Sequence, residues 1–191
     1  MLKFLALALA VALPMMVNAQ NKTQQLDISK WHKPLASLMI TDVFAYREDH
    51  PTRHIPTLHY GLDFRSRFPE PVYAVDDGVI SGINHGKLYG KIIEIDHGNG
   101  IKTRYAHLSK ILSTSASGST VTRGQIIGYS GDTGSVTWAH LHFEIHINNA
   151  PIDPFPLYGK LPCKWDVNHP MCSAHYAQEN GVLLEVVPVS K

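Results

Sequence analysis

The stretch Ala139-His140-Leu141-His142-Phe143-Glu144-Ile145-His146-Ile147 alternates strictly between polar and apolar side chains from His140 onward. Because successive side chains of a β-strand point to opposite faces, this alternation predicts a strand with all its polar side chains on one face. The apolar side chains share the other face and are expected to lie against a core. His140 and His142 therefore stand side by side. Three histidines and a glutamate favour a metal or acid–base site, whereas the alternative is a polar face that merely meets solvent.

Short runs of β-forming residues, separated by turn residues, surround this strand. Residues 72–75 and 79–83 flank Asp77-Gly78, which predicts a tight hairpin. Residues 91–96 and 101–105 predict a second hairpin across a glycine-containing turn. Few segments show the hydrophobic periodicity of an α-helix. We therefore expect an all-β, mainly antiparallel fold, a β sandwich or barrel-like sheet with few helices.

The two ends of the chain lack the alternating β-type pattern of its middle. Residues 1–19 place Lys3 ahead of a short apolar run and end in Val17-Asn18-Ala19, which is typical of a secretory signal peptide. The apolar run is too short to span a bilayer, so we expect a protein without stable membrane insertion that is secreted or lies in the periplasm or cell envelope. The remaining predicted divisions are an N-terminal arm (20–37), one domain (38–158) and a C-terminal extension (159–191).

Cys163 and Cys172 are the two cysteines of the chain, and both lie in this extension. In an oxidising compartment we expect them to form a disulfide. His169 and His175 lie beside them, which leaves a second metal site as the alternative. Their spacing matches no common zinc pattern, so the disulfide is the favoured interpretation.

The charge of the chain is balanced, with 17 basic and 16 acidic residues. Removing a signal peptide that contains Lys3 leaves the two kinds equal in number. This balance predicts no nucleic-acid partner. The length suits one domain of ordinary size with a real core, and we expect a monomer.

A second group of polar residues lies in His59-Tyr60-Gly61-Leu62-Asp63. The separation of four puts His59 and Asp63 on one side of either an extended segment or a helical turn, and Gly61 favours the extended or loop geometry. Two histidines and an aspartate are ligands that suit zinc, and three protein ligands leave a position open for water. His107 follows a predicted strand, where a lone histidine is more often structural than catalytic.

These motifs together resemble the M23 family of zinc metallopeptidases, of the lysostaphin and LytM type. The chain departs from the family pattern at Ala45, where glycine is frequent, and at 136–138, where Trp138 adjoins the expected substrate groove. The motifs that carry the resemblance are 40–47 (ITDVFAYR), 59–63, 71–74 with 77–79, 98–108, Gly124, Gly128, 133–134, 140–144 and 151–154.

The resemblance implies a LytM-type domain in which His59, Asp63 and His142 bind Zn²⁺ and His107 and His140 are the catalytic histidines. It implies a zinc metalloendopeptidase that cuts peptide bonds in peptidoglycan stem peptides or cross-links by zinc-activated water. Two alternatives remain: a non-catalytic LytM-type regulator or scaffold of other cell-wall hydrolases, and a zinc endopeptidase that acts on exported glycine-rich polypeptides. The sequence identifies no protein activator.

The other polar residues near these motifs carry weaker expectations. Glu144 is either a group that holds a ligand imidazole in one tautomer or a surface carboxylate. His146 lies about 13 Å along the strand from His142, too far to bind the same ion. We expect His50, like His32 and His54, to be a surface residue.

Overall fold

The computed structural model describes residues 28–158. The predicted signal peptide, the first part of the arm and the C-terminal extension with Cys163 and Cys172 lie outside the described residues. Within the described part of the chain, no helix is long and apolar enough to cross a membrane.

Thirteen short strands and a single turn of helix account for the regular structure of residues 28–158, and every strand pairing is antiparallel. The predicted all-β, antiparallel class is therefore confirmed. In chain order the elements are β1 (Ile40–Asp42), β2 (Ala45–Arg47), β3 (Thr57–His59), β4 (Leu62–Arg65), β5 (Pro71–Tyr73), β6 (Gly78–Gly86), β7 (Gly90–Asp96), β8 (Ile101–Leu108), β9 (Lys110–Ile111), β10 (Thr120–Val121), β11 (Ile126–Tyr129), β12 (His140–Ile147), β13 (Ala150–Ile152) and α1 (Phe155–Tyr158).

The strands form three sheets. The largest has eight strands in the order β1-β4-β12-β8-β7-β6-β10, with β13 paired to β12. A three-stranded sheet has the order β5-β11-β9, and β2 pairs with β3 in a two-stranded ribbon. The strand predicted from the alternation, β12, lies between β4 and β8 within the large sheet.

Both faces of β12 are buried. Leu141, Phe143 and Ile145 are fully buried on the apolar face, as the alternation predicts. On the other face Glu144 is fully buried and His142 is only 3% exposed, so the interpretation of a solvent-facing polar face is wrong. The polar face of β12 is therefore buried inside the protein and is not exposed to solvent.

The hydrophobic core lies against the apolar face of β12. Tyr105 of β8 packs beside Phe143 with ring centroids 5.4 Å apart, and its buried hydroxyl accepts the backbone N–H of Val75. Two residues of the predicted arm, Ile28 and Leu35, are also buried in this core. Burial of these side chains removes apolar surface from water, which is the main force that holds the sheets together.

One of the two predicted hairpins is present. β7 and β8 pair across a turn in which Gly98 and Gly100 both have positive φ, at 81° and 76°. The hairpin predicted across Asp77-Gly78 is wrong, because β5 pairs with β11 whereas β6 pairs with β7 and β10. Gly78 lacks the positive φ of a tight turn; it is needed for close packing, since a Cβ there would lie 2.6 Å from the Asp96 carbonyl oxygen.

Candidate active site

Four strands bring the five site residues predicted from sequence to one place. His59 ends β3, Asp63 lies on β4, His107 lies near the end of β8, and His140 and His142 lie on β12. Asp63 is directly opposite His142 in the β4–β12 pairing. The sheet register therefore fixes this contact between residues 79 positions apart.

The turn between β3 and β4 returns the chain so that His59 faces Asp63. Gly61 lies in this turn, and a Cβ at this position would be 2.3 Å from the carbonyl oxygen of Phe143. Only glycine lets the turn pack this closely on β12 without a shift. The structure thus has the extended or loop geometry favoured for this segment, with two strands joined by a short turn.

His59, Asp63 and His142 are all buried, and their ligand atoms converge on one point. Nε2 of His59 lies 3.0 Å from Oδ1 of Asp63 and 2.9 Å from Nδ1 of His142. Nδ1 of His142 lies 2.8 Å from the same carboxylate oxygen. The three atoms form a compact triangle suited to a single small cation.

The remaining ring nitrogens fix which atoms point at this triangle. Nδ1 of His59 donates to the carbonyl oxygen of Val43 at 2.7 Å, and Nε2 of His142 donates to Oε1 of Glu144 at 2.9 Å. In the neutral rings, the nitrogens that face Asp63 therefore carry lone pairs. Three acceptors meet without a donor between them, which a metal cation satisfies. Two imidazole nitrogens and one carboxylate oxygen are a donor set found in catalytic zinc sites.

The electrostatics of this group also favour a positive charge. Burial alone would raise the pKa of Asp63, but His59, His140 and its hydrogen bonds hold that pKa well below its usual range. Burial alone would lower the pKa of His142, but the hydrogen bonds to Asp63 and Glu144 outweigh it and raise the pKa to about 9. Without a metal ion, a proton on His142 is therefore strongly favoured.

Glu144 connects His142 to a chain of buried and partly buried charges. Its Oε2 accepts hydrogen bonds from Nη1 of Arg104 at 2.8 Å and from Nε2 of His146 at 2.5 Å. Arg104 in turn donates to Oε2 of Glu94 at 3.0 Å. The surface-carboxylate interpretation of Glu144 is wrong, and His146 reaches His142 only through this carboxylate.

His107 and His140 face each other next to the triangle, with ring centroids 4.7 Å apart. Nδ1 of His107 donates to the Thr133 carbonyl oxygen and Nδ1 of His140 to that of Trp138, both at 2.9 Å. Each neutral ring thus keeps Nε2 as an acceptor. Burial, together with the rings of His140 and His142, lowers the pKa of His107 to about 3, which keeps this imidazole neutral.

The backbone around His107 is unusual and well supported. His107 has φ 60°, in the left-handed region that ordinary residues avoid. The Thr133 hydroxyl donates to the Leu108 carbonyl oxygen at 2.8 Å and accepts the N–H of Lys91 at 3.0 Å. Gly90 permits this approach, because a Cβ there would lie 2.2 Å from the Thr133 hydroxyl oxygen.

The five residues line an open cleft of about 200 Å³. Trp138, which is 55% exposed, lies on one wall. The other wall contains Arg47, His50 and Arg53, to which the sequence analysis gave no role. Arg47 pairs with Asp42, and its position in the 40–47 motif was the only sequence signal. His50 is partly buried in the cleft, contrary to its expected place on the surface.

Residues 57–154 match the family model described as peptidase family M23, which is over half of the chain. The chain belongs to peptidase family M23. The match spans all five predicted site residues. Asp42 and the wall that contains Arg47, His50 and Arg53 precede the matched residues.

Two curated M23-like relatives are substantially similar to this chain. DD-carboxypeptidase/endopeptidase Mpg of Neisseria meningitidis serogroup B is 41% identical over 122 residues, 64% of this chain and 27% of that protein. Peptidoglycan DD-endopeptidase ShyA of Vibrio cholerae is 38% identical over 140 residues, 71% of this chain and 30% of that protein. The chain therefore spans less than a third of the length of these relatives.

Solved structures support the same family. A zinc-containing peptidase from Vibrio cholerae superposes with a TM-score of 0.54 at 30% identity, over 73% of this chain and 41% of that one. The structure of LytU superposes with a TM-score of 0.54 at 34% identity, over 67% of this chain and 89% of that one. The fold is that of LytM-type M23 domains.

Proposed function

We propose that this chain is a zinc-dependent endopeptidase that hydrolyses peptide bonds in peptidoglycan stem peptides or cross-links. The observation that carries the proposal is the buried triangle of His59, Asp63 and His142, three converging acceptors with two correctly oriented histidines beside it. Membership of a peptidase family supports the reaction class. The name of the Vibrio relative, peptidoglycan DD-endopeptidase, supports peptidoglycan as the polymer. Export to the periplasm or cell envelope, or secretion, and action as a monomer are part of the proposal.

Nε2 of His59, Oδ1 of Asp63 and Nδ1 of His142 would hold the zinc ion. Zinc in such a site polarises a carbonyl group and lowers the pKa of a bound water towards about 7. Val43 and Glu144 would keep the two imidazoles in the tautomers that offer these atoms. Hydrogen bonds of this kind are typical of histidines that bind metals.

His107 and His140 would move the protons of the reaction. Each ring offers Nε2 as an acceptor, and its Nδ1–H is already anchored by a backbone carbonyl. We propose that this pair accepts a proton from the attacking water and delivers one to the leaving amine. Once a ring has accepted this proton it carries an Nε2–H, and donation of that N–H to the oxygen of the scissile carbonyl would stabilise the negative charge that develops there.

The two alternative functions receive less support. A non-catalytic regulator has no need of five intact residues assembled at one cleft. An enzyme for glycine-rich polypeptides keeps the same site chemistry, but the name of the Vibrio relative favours peptidoglycan over such substrates.

Metal analysis combined with digestion of purified sacculi tests the proposal. We expect one zinc ion per chain and release of peptides. His59→Ala, Asp63→Ala and His142→Ala should lose both zinc and hydrolysis, whereas His107→Ala should lose hydrolysis and retain zinc. A glycine-rich peptide digested in parallel tests the alternative substrate. Folded protein that binds no zinc, or zinc-loaded protein that cuts only the glycine-rich peptide, would contradict the proposal.

A further inference from the structure

The cleft contains a guanidinium group that no acidic side chain within residues 28–158 neutralises. Arg53 lines the cleft together with the site histidines. Its Nη2 donates to the hydroxyl oxygen of Thr57 at 3.3 Å, and its buried Nε has no hydrogen-bond partner. Within residues 28–158, no carboxylate lies within ion-pair distance of Arg53. The contact with Thr57 uses one of the five N–H donors of the group.

The second arginine of the same wall differs in this respect. Arg47 is paired with Asp42, and its Nη2 also lies 3.6 Å from Oδ2 of Asp63. Its charge is therefore balanced by two carboxylates, one of which belongs to the proposed metal site. Arg53 is the cation of this wall whose charge remains available to a ligand.

A bridge between the two walls lies next to Arg53. The hydroxyl oxygens of Thr52 and Ser135 are 2.5 Å apart, which joins the loop between β2 and β3 to the loop between β11 and β12. Ser135 itself also lines the cleft. A peptide that continues through the cleft would meet this bridge, whereas a peptide that ends in a carboxylate would stop at the guanidinium.

We propose that Arg53 is a specificity-determining residue that binds a carboxylate of the substrate on the leaving-amine side of the scissile bond. This inference rests on the proposed function. A peptide ends in a carboxylate at its C-terminus, which is the side of the leaving amine. An arginine fork is well suited to bind such a group through charge-assisted hydrogen bonds.

The required carboxylate occurs in two kinds of peptidoglycan peptide. In a C-terminal D-residue, the carbon that bears the leaving amine also bears the free carboxylate. The same holds for a diamino acid whose D-centre amine forms a cross-link. Contact with Arg53 would therefore serve terminal trimming and cross-link cleavage equally, and would select against substrates in which this carboxylate is amidated.

A matched pair of synthetic peptides tests the role of Arg53. The two stem peptides end in D-Ala-D-Ala, one as the free carboxylate and the other as the carboxamide. For the zinc-loaded wild type we expect kcat/KM to be about tenfold or more higher for the carboxylate, from the strength of hydrogen bonds to charged groups. Arg53→Gln should bring the ratio close to one through a raised KM for the carboxylate, with zinc content unchanged.

Two further variants separate charge from geometry and from overall fold. Arg53→Lys keeps the charge without the planar fork, so we expect an intermediate ratio. Arg123→Gln removes one positive charge from an exposed arginine that binds the Lys30 carbonyl oxygen away from the cleft. It should retain the wild-type ratio. An unchanged ratio in Arg53→Gln would overturn the proposal.

Calorimetric binding of the same peptides to zinc-loaded His107→Ala protein keeps two possible failures apart. Tighter binding of the carboxylate peptide, lost in the double variant with Arg53→Gln, supports the Arg53 site even if the wild type hydrolyses neither peptide. The proposed function is judged separately, by digestion of purified sacculi. Hydrolysis of both peptides at equal rates and equal binding would retain the proposed function and overturn the role of Arg53.

Discussion

Glu144 illustrates how one buried side chain changes the interpretation of the residues around it. Its carboxylate fixes the His142 ring and is itself held by Arg104 and His146. We expect Glu144→Gln to weaken zinc affinity by roughly 10- to 100-fold, the usual effect of removing a partner of a metal-binding histidine. The amide places an N–H₂ group against the donors that already converge on this carboxylate, which come from His142, Arg104 and His146. Competition titration against a chromogenic zinc chelator measures the change.

Glu94→Gln is the matched control for this variant. Glu94 contacts the same arginine but does not touch His142, and its side chain is partly exposed. We expect only a small change in zinc affinity. Equal affinities for wild type and Glu144→Gln would show that the carboxylate has no part in holding the metal ligand.

His107 provides a second test at the level of one residue. Its φ of 60° disfavours most side chains by about 1–2 kcal/mol, whereas asparagine adopts this conformation more readily. We expect His107→Asn to be about 1 kcal/mol more stable than His107→Ala, with hydrolysis lost and zinc retained in both. Denaturant unfolding gives the difference. Residual hydrolysis in either variant, or equal stability, would contradict the assignment.

The sequence predicts some of these residues and misses others for physical reasons. Alternation along β12 places His140 and His142 side by side, but it gives the face of a side chain and not its depth. The sequence therefore leaves two interpretations of Glu144, and its complete burial in the structure decides between them. Arg53 and His50 lie in the loop between β2 and β3, where no alternating pattern predicts the direction of a side chain. Their place in the cleft is therefore visible only in the folded structure.

At the scale of elements, local pattern predicts strands better than it predicts their partners. The β7–β8 hairpin follows from a glycine-rich turn and is present. The Asp77-Gly78 pair gives an equally strong local signal, but β5 finds its partner in β11, which is distant in sequence. Glycine serves both tight turns and close packing, and local sequence alone does not distinguish these uses.

The β3–β4 turn depends on glycine for close packing, and this dependence can be measured. A Cβ on Gly61 would approach the Phe143 carbonyl oxygen to 2.3 Å and push the turn away from β12. We expect Gly61→Ala to lower both the free energy of unfolding, by about 1–3 kcal/mol, and the zinc affinity. Gly86→Ala is the control, because a Cβ there meets nothing within 4 Å. Equal losses in both variants would refute the close-packing argument.

The start of α1 supplies a prediction about pH. Oδ1 of Asp153 accepts the N–H of Phe155 at 2.8 Å, while burial raises the pKa of Asp153 to about 6. The folded state then binds this proton more tightly than the unfolded state, so this residue destabilises the fold as pH rises from about 4 to about 6.

Asp153→Asn removes that titration and keeps an acceptor for Phe155. Relative to wild type, we expect the variant to gain stability between pH 4 and pH 7, by up to about 3 kcal/mol. Unfolding curves at the two pH values measure the gain, and Glu48→Gln removes an exposed carboxylate as the control. A constant difference between variant and wild type would contradict a raised pKa.

At the scale of the whole molecule, the all-β class follows from short alternating runs and frequent turns. The site cannot be predicted from such local patterns, because its residues lie on β3, β4, β8 and β12. No spacing rule in the sequence brings these strands together. The resemblance to M23 peptidases supplied that grouping, and the sheet register explains it physically. The chain spans 27% to 30% of the two relatives' lengths, and the residues that line the cleft lie between Asp42 and His142.

The central claim is that this cleft is a zinc site that hydrolyses peptidoglycan peptides. Mass spectrometry of muropeptides tests it most directly, with cross-linked dimers incubated with zinc-loaded wild type or zinc-loaded His107→Asn. With wild type we expect the dimers to be replaced by products that together carry one added water and have a new amine and a new carboxyl terminus, and with the variant we expect no change. Folded wild-type protein that contains zinc and leaves every cross-linked dimer intact would contradict the claim.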